Sequence, residues 1–359
     1  MEELFFSNSA LLAAAAVLLS VFLLLSKPRR REPYVPEAKG AWPFIGHLHL
    51  LAGPVPSHLV LGKMADRHGA IFAIRMGVHK ALVVNSWEIA RECLTTNDKV
   101  LATRPRSVAS EVLSYDYAMF ALASYGEHWR SVRRMVMTEV LSNRRLALLQ
   151  HVRESEVQAS IKGLYDHWKE NNGQPVEMKK VFGDIVLNII FRMIVGKRYE
   201  DEKDEQARKA LRVFFESLGK FLLSDALPYL RWLDIGGHEK EMRDAARELD
   251  RAVQGWLDEH RSRRKLEGKR KGEDEDFMDI MISTIDEGRG EQFTDYDADT
   301  VIKSTCMSLV LAASDTSMVT MTWALSLLLN NKAIGLTNLK ATPLWVLVKP
   351  RLPEHLYNV

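Results

Sequence analysis

The longest hydrophobic pattern in the chain covers residues 301–329, which contain neither glycine nor proline. Apolar side chains occur on every side of a helix drawn through this segment, which predicts a buried helix about 43 Å long. Thr294 and Asp297 precede it with a capping-box-like spacing, and Asp299 lies where a carboxylate stabilises the positive helix end. The pattern therefore places one long helix at the centre of the fold.

The middle of this helix, residues 312–317, interrupts the apolar pattern with Ala-Ala-Ser-Asp-Thr-Ser. A buried carboxylate without a partner is costly, so Asp315 calls for an explanation. In one interpretation the hydroxyls bond to helix carbonyls and Asp315 has a structural partner. In the other, Ala312 and Ala313 let a planar ligand lie against the helix, while Asp315 and Thr316 manage protons beside it. The residues alone leave both interpretations open.

The rest of the pattern predicts a mainly α fold with a small β-sheet near the amino terminus. Residues 71–84 indicate two short strands in a hairpin. Ser86 is a predicted cap for the helix that follows. Residues 150–265 are nearly all helix-like, and the basic and then acidic residues 261–276 are typical of a solvated connection.

The amino-terminal residues predict a membrane anchor. Residues 4–25 carry no charge and are long enough to cross a hydrocarbon core of about 30 Å. Basic residues follow at 27 and 29–31, so the positive-inside rule places the rest of the chain on the cytosolic side. A cleaved signal peptide is the alternative, but the acidic start and the long apolar run favour an anchor at 1–26. The proline-rich residues 27–47 then predict a stiff hinge.

Composition excludes several classes of protein. With 47% hydrophobic and 27% charged residues the chain can bury a substantial core. A net charge of +2 implies no overall attraction to nucleic acid. The two cysteines, Cys93 and Cys306, offer neither a disulfide framework nor a zinc-ligand spacing, and we predict no metal site formed by protein ligands.

Trp129 and Arg133 are four residues apart in a predicted helix, so they share a face. An indole N–H and a guanidinium on one face suit an anionic carboxylate partner. The pair is also compatible with an ordinary surface feature. Arg130, Arg134, Arg144 and Arg145 add positive charge nearby.

These features occur in the order found in one family. They are the anchor, Trp42-Pro43-Phe44-Ile45-Gly46, Ala102-Thr103-Arg104-Pro105, Tyr125-Gly126, Trp129-x-x-x-Arg133 and Ala312-Ala313-Ser314-Asp315-Thr316. Together they resemble the haem-thiolate monooxygenases, the cytochrome P-450 superfamily, and the plant microsomal type in particular. Residues 224–234, SDALPYLRWLD, resemble the plant family numbered 82, whose members oxidise alkaloids, terpenoid precursors and phenolics.

The resemblance implies a cytochrome P-450 fold, a haem cofactor and a role for each candidate residue. Trp129 and Arg133 would bind a haem propionate, and Ala312 and Ala313 would lie against the distal haem face. Thr316 would donate a hydrogen bond to dioxygen and Asp315 would help to relay protons. Residues 106–126 and the helices near 207–233 would form the roof of the substrate site. The four arginines at 130, 134, 144 and 145 would meet an acidic NADPH–cytochrome reductase.

The chain also departs from the family. No cysteine follows Cys306, although the family takes its iron-binding thiolate from a later F-x-x-G-x-x-x-C-x-G motif. The family's Glu-x-x-Arg pair is also missing after Thr316. We therefore expect residues 48–329 to be the amino-terminal and central part of the cytochrome P-450 domain, and residues 330–359 to be an atypical tail. The expected protein is carboxy-terminally truncated and inactive as written.

Two functions of different classes follow. The first is a haem-dependent monooxygenase of plant specialised metabolism, in truncated form, which takes a small hydrophobic substrate, dioxygen and reductase electrons. The second is a non-catalytic, membrane-anchored binding or interaction protein. A third hypothesis, that a histidine or methionine binds the iron, has little support because His355 is the only histidine after His260. The expected location is the endoplasmic reticulum membrane, single-pass, in contact with lipid, with the globular part cytosolic and no nucleic-acid partner.

Overall fold

A computed structural model describes residues 35–198, 205–219, 222–268, 275–289, 295–330 and 345–346. Backbone contacts divide the chain into two units, residues 1–92 and 93–359. The predicted anchor lies outside the described residues, so its prediction stays open. Among the helices that are described, none combines the length and the hydropathy needed to cross a membrane.

The first unit is built on a β-hairpin with one buried face. Strand β1 (Ile71–Met76) pairs antiparallel with β2 (His79–Val84) in continuous register. Phe72 and Ile74, two residues apart, are buried, as side-chain alternation along a half-buried strand requires. The hairpin predicted for residues 71–84 is confirmed.

Short helices flank this hairpin along the chain. They are α1 (Leu48–Leu51), α2 (Ser57–His68) and α3 (Trp87–Leu94), the last of which crosses into the second unit. Ser86 caps α3 as predicted, because its hydroxyl accepts a hydrogen bond from the Ile89 amide at 3.2 Å. Ala65 of α2 joins Phe72 in a small apolar cluster, and this cluster is the core of the unit.

The hinge motif that ends at Gly46 is held closely against β1. Gly46 has a φ of +62°, and a Cβ added to it would lie 2.4 Å from the Arg75 carbonyl oxygen, so glycine is required here. The next residue, His47, is fully buried and accepts a hydrogen bond from the Arg75 amide through Nδ1 at 2.9 Å. Its proton therefore lies on Nε2, which donates to the Ala38 carbonyl at 3.0 Å.

The second unit is mainly helical, as predicted. Its helices are α4 (Asp98–Leu101), α5 (Val108–Leu113), α6 (Glu127–Met135), α7 (Asn143–Leu148), α8 (Gln150–Glu170), α9 (Met178–Val195), α10 (Glu205–Leu218), α11 (Leu223–Ala226), α12 (His238–Glu267), α13 (Phe277–Thr284) and α14 (Ala298–Asn330). Single π-helical turns follow α6 (Val136–Val140) and α13 (Ile285–Arg289), and a 3₁₀ helix (Pro228–Leu233) lies between α11 and α12.

A second antiparallel strand pair is formed by β3 (Val176–Glu177) and β4 (Trp345–Val346). Asn330 and β4 are the parts of the predicted tail, residues 330–359, that fall among the described residues. The expectation that residues 330–359 form an atypical tail therefore stays a prediction.

Helix α14 is the long helix predicted from residues 301–329. The Asp297 carboxylate begins it by accepting hydrogen bonds from the Thr300 amide at 3.0 Å and the Thr300 hydroxyl at 2.6 Å, which confirms the acidic start. α14 packs against α9, α12 and α13. Its amino-terminal half supplies six buried side chains to the core: Val301, Ile302, Cys306, Met307, Val310 and Leu311.

The prediction of a solvated connection over residues 261–276 is wrong where the structure describes it. Helix α12 continues to Glu267, and Arg261 donates to Asp299 at 2.8 Å. At the other end of the segment, Glu275 and Asp276 are buried. Arg261 and Glu275 have their partners outside the segment, at Asp299 and Arg145, so the charge pattern alone could not show that they are paired.

His260, Arg263, Asp276 and Asp279 form a buried charged network between α12 and α13. The His260 Nε2 lies 2.8 Å from Asp276, and its Nδ1 lies 2.7 Å from the Trp256 carbonyl. Arg263 donates to Asp279 at 3.0 Å. Asp276 also begins α13, since its other oxygen accepts from the Asp279 amide at 2.9 Å. The network therefore fixes the start of α13 against the end of α12.

Stability should depend on the protonation of His260. Burial by itself lowers the pKa of His260, but the hydrogen bond and the charge of Asp276 outweigh burial and leave the pKa above its ordinary value of 6.5. A raised folded-state pKa gives stability that is complete below about pH 6.5 and is lost as pH rises through the folded-state pKa. We expect urea unfolding of the detergent-solubilised chain to show this loss. His260→Gln should flatten it, and His151→Gln, an exposed residue of α8, should leave it unchanged.

Candidate functional site

Ala312, Thr316, Thr320, Ala324 and Leu327 are all exposed and follow one another on α14 at spacings of three or four residues. Each such spacing makes consecutive members neighbours on the helix surface, and the whole set, named the α14 stripe below, winds about 120° around the helix from Ala312 to Ala324. The Thr316 hydroxyl donates to the Ala312 carbonyl at 2.6 Å, and the Thr320 hydroxyl donates to the Thr316 carbonyl at 2.7 Å. At its start the α14 stripe therefore carries only small side chains, whose hydroxyls are turned back onto the helix. A neighbouring group can approach the helix backbone closely there.

The other two candidate residues of α14 lie beside this stripe. At 3.6 residues per turn, Asp315 is about 60° from Ala312 around the helix and Ala313 about 100° away on the other side. Asp315 is half-buried, and burial raises its pKa, although the positive charge of Lys179 on α9 acts in the opposite direction. Ala313 packs against the main core. Ala312 and Thr316 thus share the exposed face, Asp315 lies at its edge, and Ala313 faces inward.

Trp129 and Arg133 share one face of α6, as predicted. The Arg133 guanidinium carbon lies 4.9 Å from the centroid of the Trp129 ring. Arg133 is exposed, and no carboxylate of the described residues pairs with it. Its N–H groups therefore remain available to an anion. Within the described parts of the chain, no hydrogen bond, ion pair or ring contact joins this pair to Ala312 or Thr316.

The four arginines near α6 do not form one equivalent set. Arg130, Arg134 and Arg144 are exposed, in agreement with the predicted positive surface. Arg145 is mostly buried and donates to Glu275 at 3.0 Å. The prediction that Arg145 faces a partner protein is therefore wrong, because a carboxylate more than a hundred residues away in the chain already neutralises it.

The described residues include one cluster with the composition of a metal site, His260, Asp276 and Asp279, whose candidate ligand atoms lie within 4.8 Å of one another. Both nitrogens of His260 are already hydrogen-bonded, and Arg263 lies against both carboxylates, at 3.7 Å from Asp276 and 3.0 Å from Asp279. A guanidinium there supplies the positive charge that a cation would bring. The cluster is a structural ion network.

The segment after α5 contains a backbone feature that sequence patterns do not reveal. Tyr115, Asp116 and Tyr117 have φ values of +55°, +52° and +67°. L-residues adopt this region as isolated positions, so three in succession require support from their surroundings. Here the Tyr117 amide donates to the Ser114 hydroxyl at 3.1 Å, and the Tyr296 hydroxyl donates to the Asp116 carbonyl at 2.7 Å. We call residues 115–117 the left-handed turn.

The left-handed turn brings Tyr115 to a cavity of about 260 Å³ between α5, α12 and α14. Lys303 donates to Asp250 at 2.7 Å in this cavity, and its ammonium lies 5.5 Å from the centroid of the Tyr115 ring. Burial raises the pKa of Tyr115, and the Asp250 carboxylate adds to this effect. The segment 106–126 thus supplies part of a cavity wall. No sequence pattern indicated that Asp250 and Lys303 would line the same cavity.

The comparisons with known proteins bear on the family of this chain. The family model for cytochrome P-450 matches residues 36–335. Demethylepipodophyllotoxin synthase of Sinopodophyllum hexandrum is 46% identical over 322 residues, which is 86% of this chain and 61% of that protein. Strychnine-10-hydroxylase of Strychnos nux-vomica is 46% identical over 310 residues, 83% of this chain and 58% of that protein. The chain thus spans about three fifths of the curated relatives that it matches.

Two further comparisons bear on the family and on the fold. Xanthotoxin 5-hydroxylase CYP82C4 of Arabidopsis thaliana is 44% identical over 328 residues, 87% of this chain and 62% of that protein, in agreement with the resemblance to the plant family numbered 82. A zebra fish cytochrome P-450 solved with progesterone superimposes with a TM-score of 0.59 at 20% identity, over 77% of this chain and 60% of that one, and so shows the same fold. The chain belongs to the cytochrome P-450 family.

Proposed function

We propose that the chain is the oxygen-handling portion of a plant haem-dependent monooxygenase that inserts an oxygen atom into small hydrophobic specialised metabolites. The observation that carries this proposal is the exposed face of α14, where Ala312 and Thr316 lie together with Asp315 at the edge. Small side chains beside a hydroxyl and a carboxyl group are what a flat cofactor and a proton-consuming reaction need.

The printed names of the relatives support the substrate class. They describe enzymes that hydroxylate strychnine, xanthotoxin and, in Mentha piperita, a flavonoid, all of which are small ring compounds. We propose a compound of this class as substrate, an NADPH–cytochrome reductase as electron donor, and an endoplasmic reticulum membrane location with the globular part cytosolic. The exposed Arg130, Arg134 and Arg144 would meet the reductase.

The residues on the proposed distal side fit the haem that the family implies. Ala312 is exposed and small, so a porphyrin ring could lie against α14 at this point. The Arg133 guanidinium and the Trp129 indole N–H can donate to a propionate. When bound, the haem would supply the site at which dioxygen is activated.

Within that proposal the chain's own groups hold and move protons. The Thr316 hydroxyl, which now donates to the Ala312 carbonyl, would rotate to donate toward the face of the helix. Asp315, half-buried with a raised pKa, can carry a proton from solvent to that hydroxyl at a higher pH than an exposed carboxyl group can. Ala312 keeps the space beside the hydroxyl open.

The cysteines of this chain do not fit the role of the thiolate that would bind the haem iron on the side opposite α14. Cys306 is fully buried, and burial raises the pKa of its thiol, which disfavours the thiolate. It also lies ten residues before Thr316 on the same helix, about 15 Å along the axis, so it cannot face the opposite side of a ring that covers Ala312. The remaining cysteine, Cys93, is half-buried near the end of α3. We therefore propose that this polypeptide by itself is catalytically inactive.

A carbon monoxide difference spectrum of the reduced chain in membranes tests this proposal. We expect no thiolate-type band from the chain alone, because Cys306 lies on the helix that the ring would cover and Cys93 lacks the glycine-rich loop that surrounds the family's thiolate. We expect the band when residues 1–330 are fused to the corresponding carboxy-terminal remainder of strychnine-10-hydroxylase. A thiolate-type band from the unfused chain would contradict the proposed inactivity.

Substitutions on the α14 stripe of that fusion separate a haem-binding role from general packing. Ala312→Trp should abolish the band because the indole would occupy the space assigned to the ring. Ala324→Trp, at an exposed position of the α14 stripe about 18 Å farther along the helix axis and about 120° around it, should retain the band. Equal loss in both variants, or retention in both, would contradict the placement of the ring at Ala312.

Specific capture of a partner by the unfused chain would favour the alternative of a non-catalytic interaction protein.

A further inference from the structure

Arg231, in the 3₁₀ helix between α11 and α12, binds two carboxylates at once. Its guanidinium donates to both oxygens of Glu111 on α5, at 2.9 and 2.8 Å, and to both oxygens of Glu239 on α12, each at 2.9 Å. Paired parallel hydrogen bonds from arginine to a carboxylate are the most directional ion pairs in proteins. One side chain thus joins the start of α12, eight residues later in the chain, to α5, which lies 120 residues earlier.

A second contact joins the same parts of the chain. Asp225 of α11 is buried, and its carboxylate accepts hydrogen bonds from the Val108 amide at 2.7 Å and the Leu222 amide at 3.0 Å. Val108 is the first residue of α5, so the carboxylate lies at the positive end of that helix. Asp225 therefore fixes the start of α5, and Arg231 holds Glu111 one turn farther along.

Helix α5 depends on such contacts. It has six residues, and helices this short are not stable without tertiary packing. Its last turn supplies Val112 and Leu113 to the wall of the 260 Å³ cavity, opposite Leu249 of α12 and Met307 of α14. Releasing α5 would therefore move one wall of that cavity.

We propose that Arg231 is a positioning residue that clamps α5 to α12 and thereby holds α5 in place as one wall of the cavity between α5, α12 and α14. The clamp consists of Arg231, Glu111 and Glu239, and Asp225 acts as the pivot at the start of α5. Glu111 and Arg231 are partly exposed, so the clamp can open to solvent without unfolding the core, whereas the buried Asp225 stays in place. The clamp operates whether or not haem is bound.

Hydrogen exchange of the full chain in detergent, with and without Arg231→Ala, tests the clamp. We expect exchange of the amides at residues 109–113 to rise at least about tenfold, because the loss of two paired ion contacts frees α5. Amides at residues 301–311 of α14 should keep their rates, which distinguishes local opening from global destabilisation. Arg231→Lys should restore part of the protection, since a lysine keeps the charge but not the two-pronged geometry.

Arg243→Ala is the matched control, because Arg243 also binds Glu239 but does not contact Glu111. It should leave exchange in α5 near the starting rate. If Arg231→Ala does not fold, Glu111→Gln removes the charge and one of the two acceptor oxygens from a partly exposed position and should still raise hydrogen exchange in α5. Three results would refute the clamp. They are equal changes in α5 exchange rates in Arg231→Ala and Arg243→Ala, a joint rise of the exchange rates of α5 and α14, and unchanged α5 exchange rates in Glu111→Gln.

Discussion

Asp276→Asn is expected to lower the free energy of unfolding by about 3–5 kcal/mol, the usual cost of breaking a buried ion pair from one side. The carboxylate is almost completely buried and holds His260 at 2.8 Å, with Arg263 at 3.7 Å. The side-chain oxygen of asparagine can still accept a hydrogen bond from the Asp279 amide at the start of α13. The loss of stability therefore reports the removal of the negative charge and not the removal of the helix cap. Urea unfolding followed by circular dichroism measures the effect.

Asp244→Asn provides the control for this substitution. Asp244 lies on the same helix, α12, and pairs with Arg247 at an exposed position. Removing an exposed ion pair changes stability by no more than about 0.5 kcal/mol. Similar losses for the two variants would mean that the buried network between α12 and α13 contributes no more than a surface pair.

Gly46→Ala is expected to destabilise the first unit by about 2–6 kcal/mol, since it combines backbone strain with overpacking. The φ of +62° disfavours any side chain, and the new methyl group would lie 2.4 Å from the backbone oxygen of Arg75. That oxygen accepts the His47 amide at 2.7 Å, so a shift to relieve the clash would also disturb His47. The His47 and Gly77 amides donate hydrogen bonds in this contact region, so their hydrogen-exchange rates should rise as stability is lost.

Gly69→Ala separates the two causes. Gly69 also has a positive φ, +93°, but a Cβ there would meet no heavy atom within 4 Å. Strain alone should cost about 1–3 kcal/mol. If both alanine variants lost the same amount, the close approach of Gly46 to Arg75 would have no energetic weight.

The elements that the sequence predicted well are those whose signal is local. The long helix needs only its own apolar residues and the acid before it, and the structure begins it at Ala298 and ends it at Asn330. The hairpin of residues 71–84 needs only alternation and a glycine at the turn. Ser86 is identified as a cap by its position alone.

The features that sequence reasoning missed depend on partners distant in the chain. The run of charge at 261–276 gives no indication that Arg261 meets Asp299 or that Asp276 is buried beside His260. In the same way, Arg145 looks like any surface arginine until Glu275 is placed beside it. Charge patterns report how many ions a segment has, and only the fold reports which of them are paired.

The candidate site shows the same division. The resemblance identified Ala312 and Thr316, and the structure places both on one exposed face, whereas Ala313 packs inward. The pairing of Trp129 with Arg133 followed from helical spacing alone, and the ring contact confirms that they share a face. The Arg231 clamp could not be found this way, because Glu111 and Glu239 are ordinary helical glutamates in the sequence.

The left-handed turn at Tyr115–Tyr117 limits how this stretch can vary in length. Three successive residues have left-handed backbone angles, and the Ser114 hydroxyl holds the last of them while the Tyr296 hydroxyl holds the middle one. Adding or deleting one residue would shift these hydrogen bonds out of register and displace the residues that follow, as far as His128, whose Nε2 donates to the Ala118 carbonyl at 2.8 Å. Segment swaps between relatives should therefore be joined before Ser107 or after Gly126, with the intervening loop transferred whole.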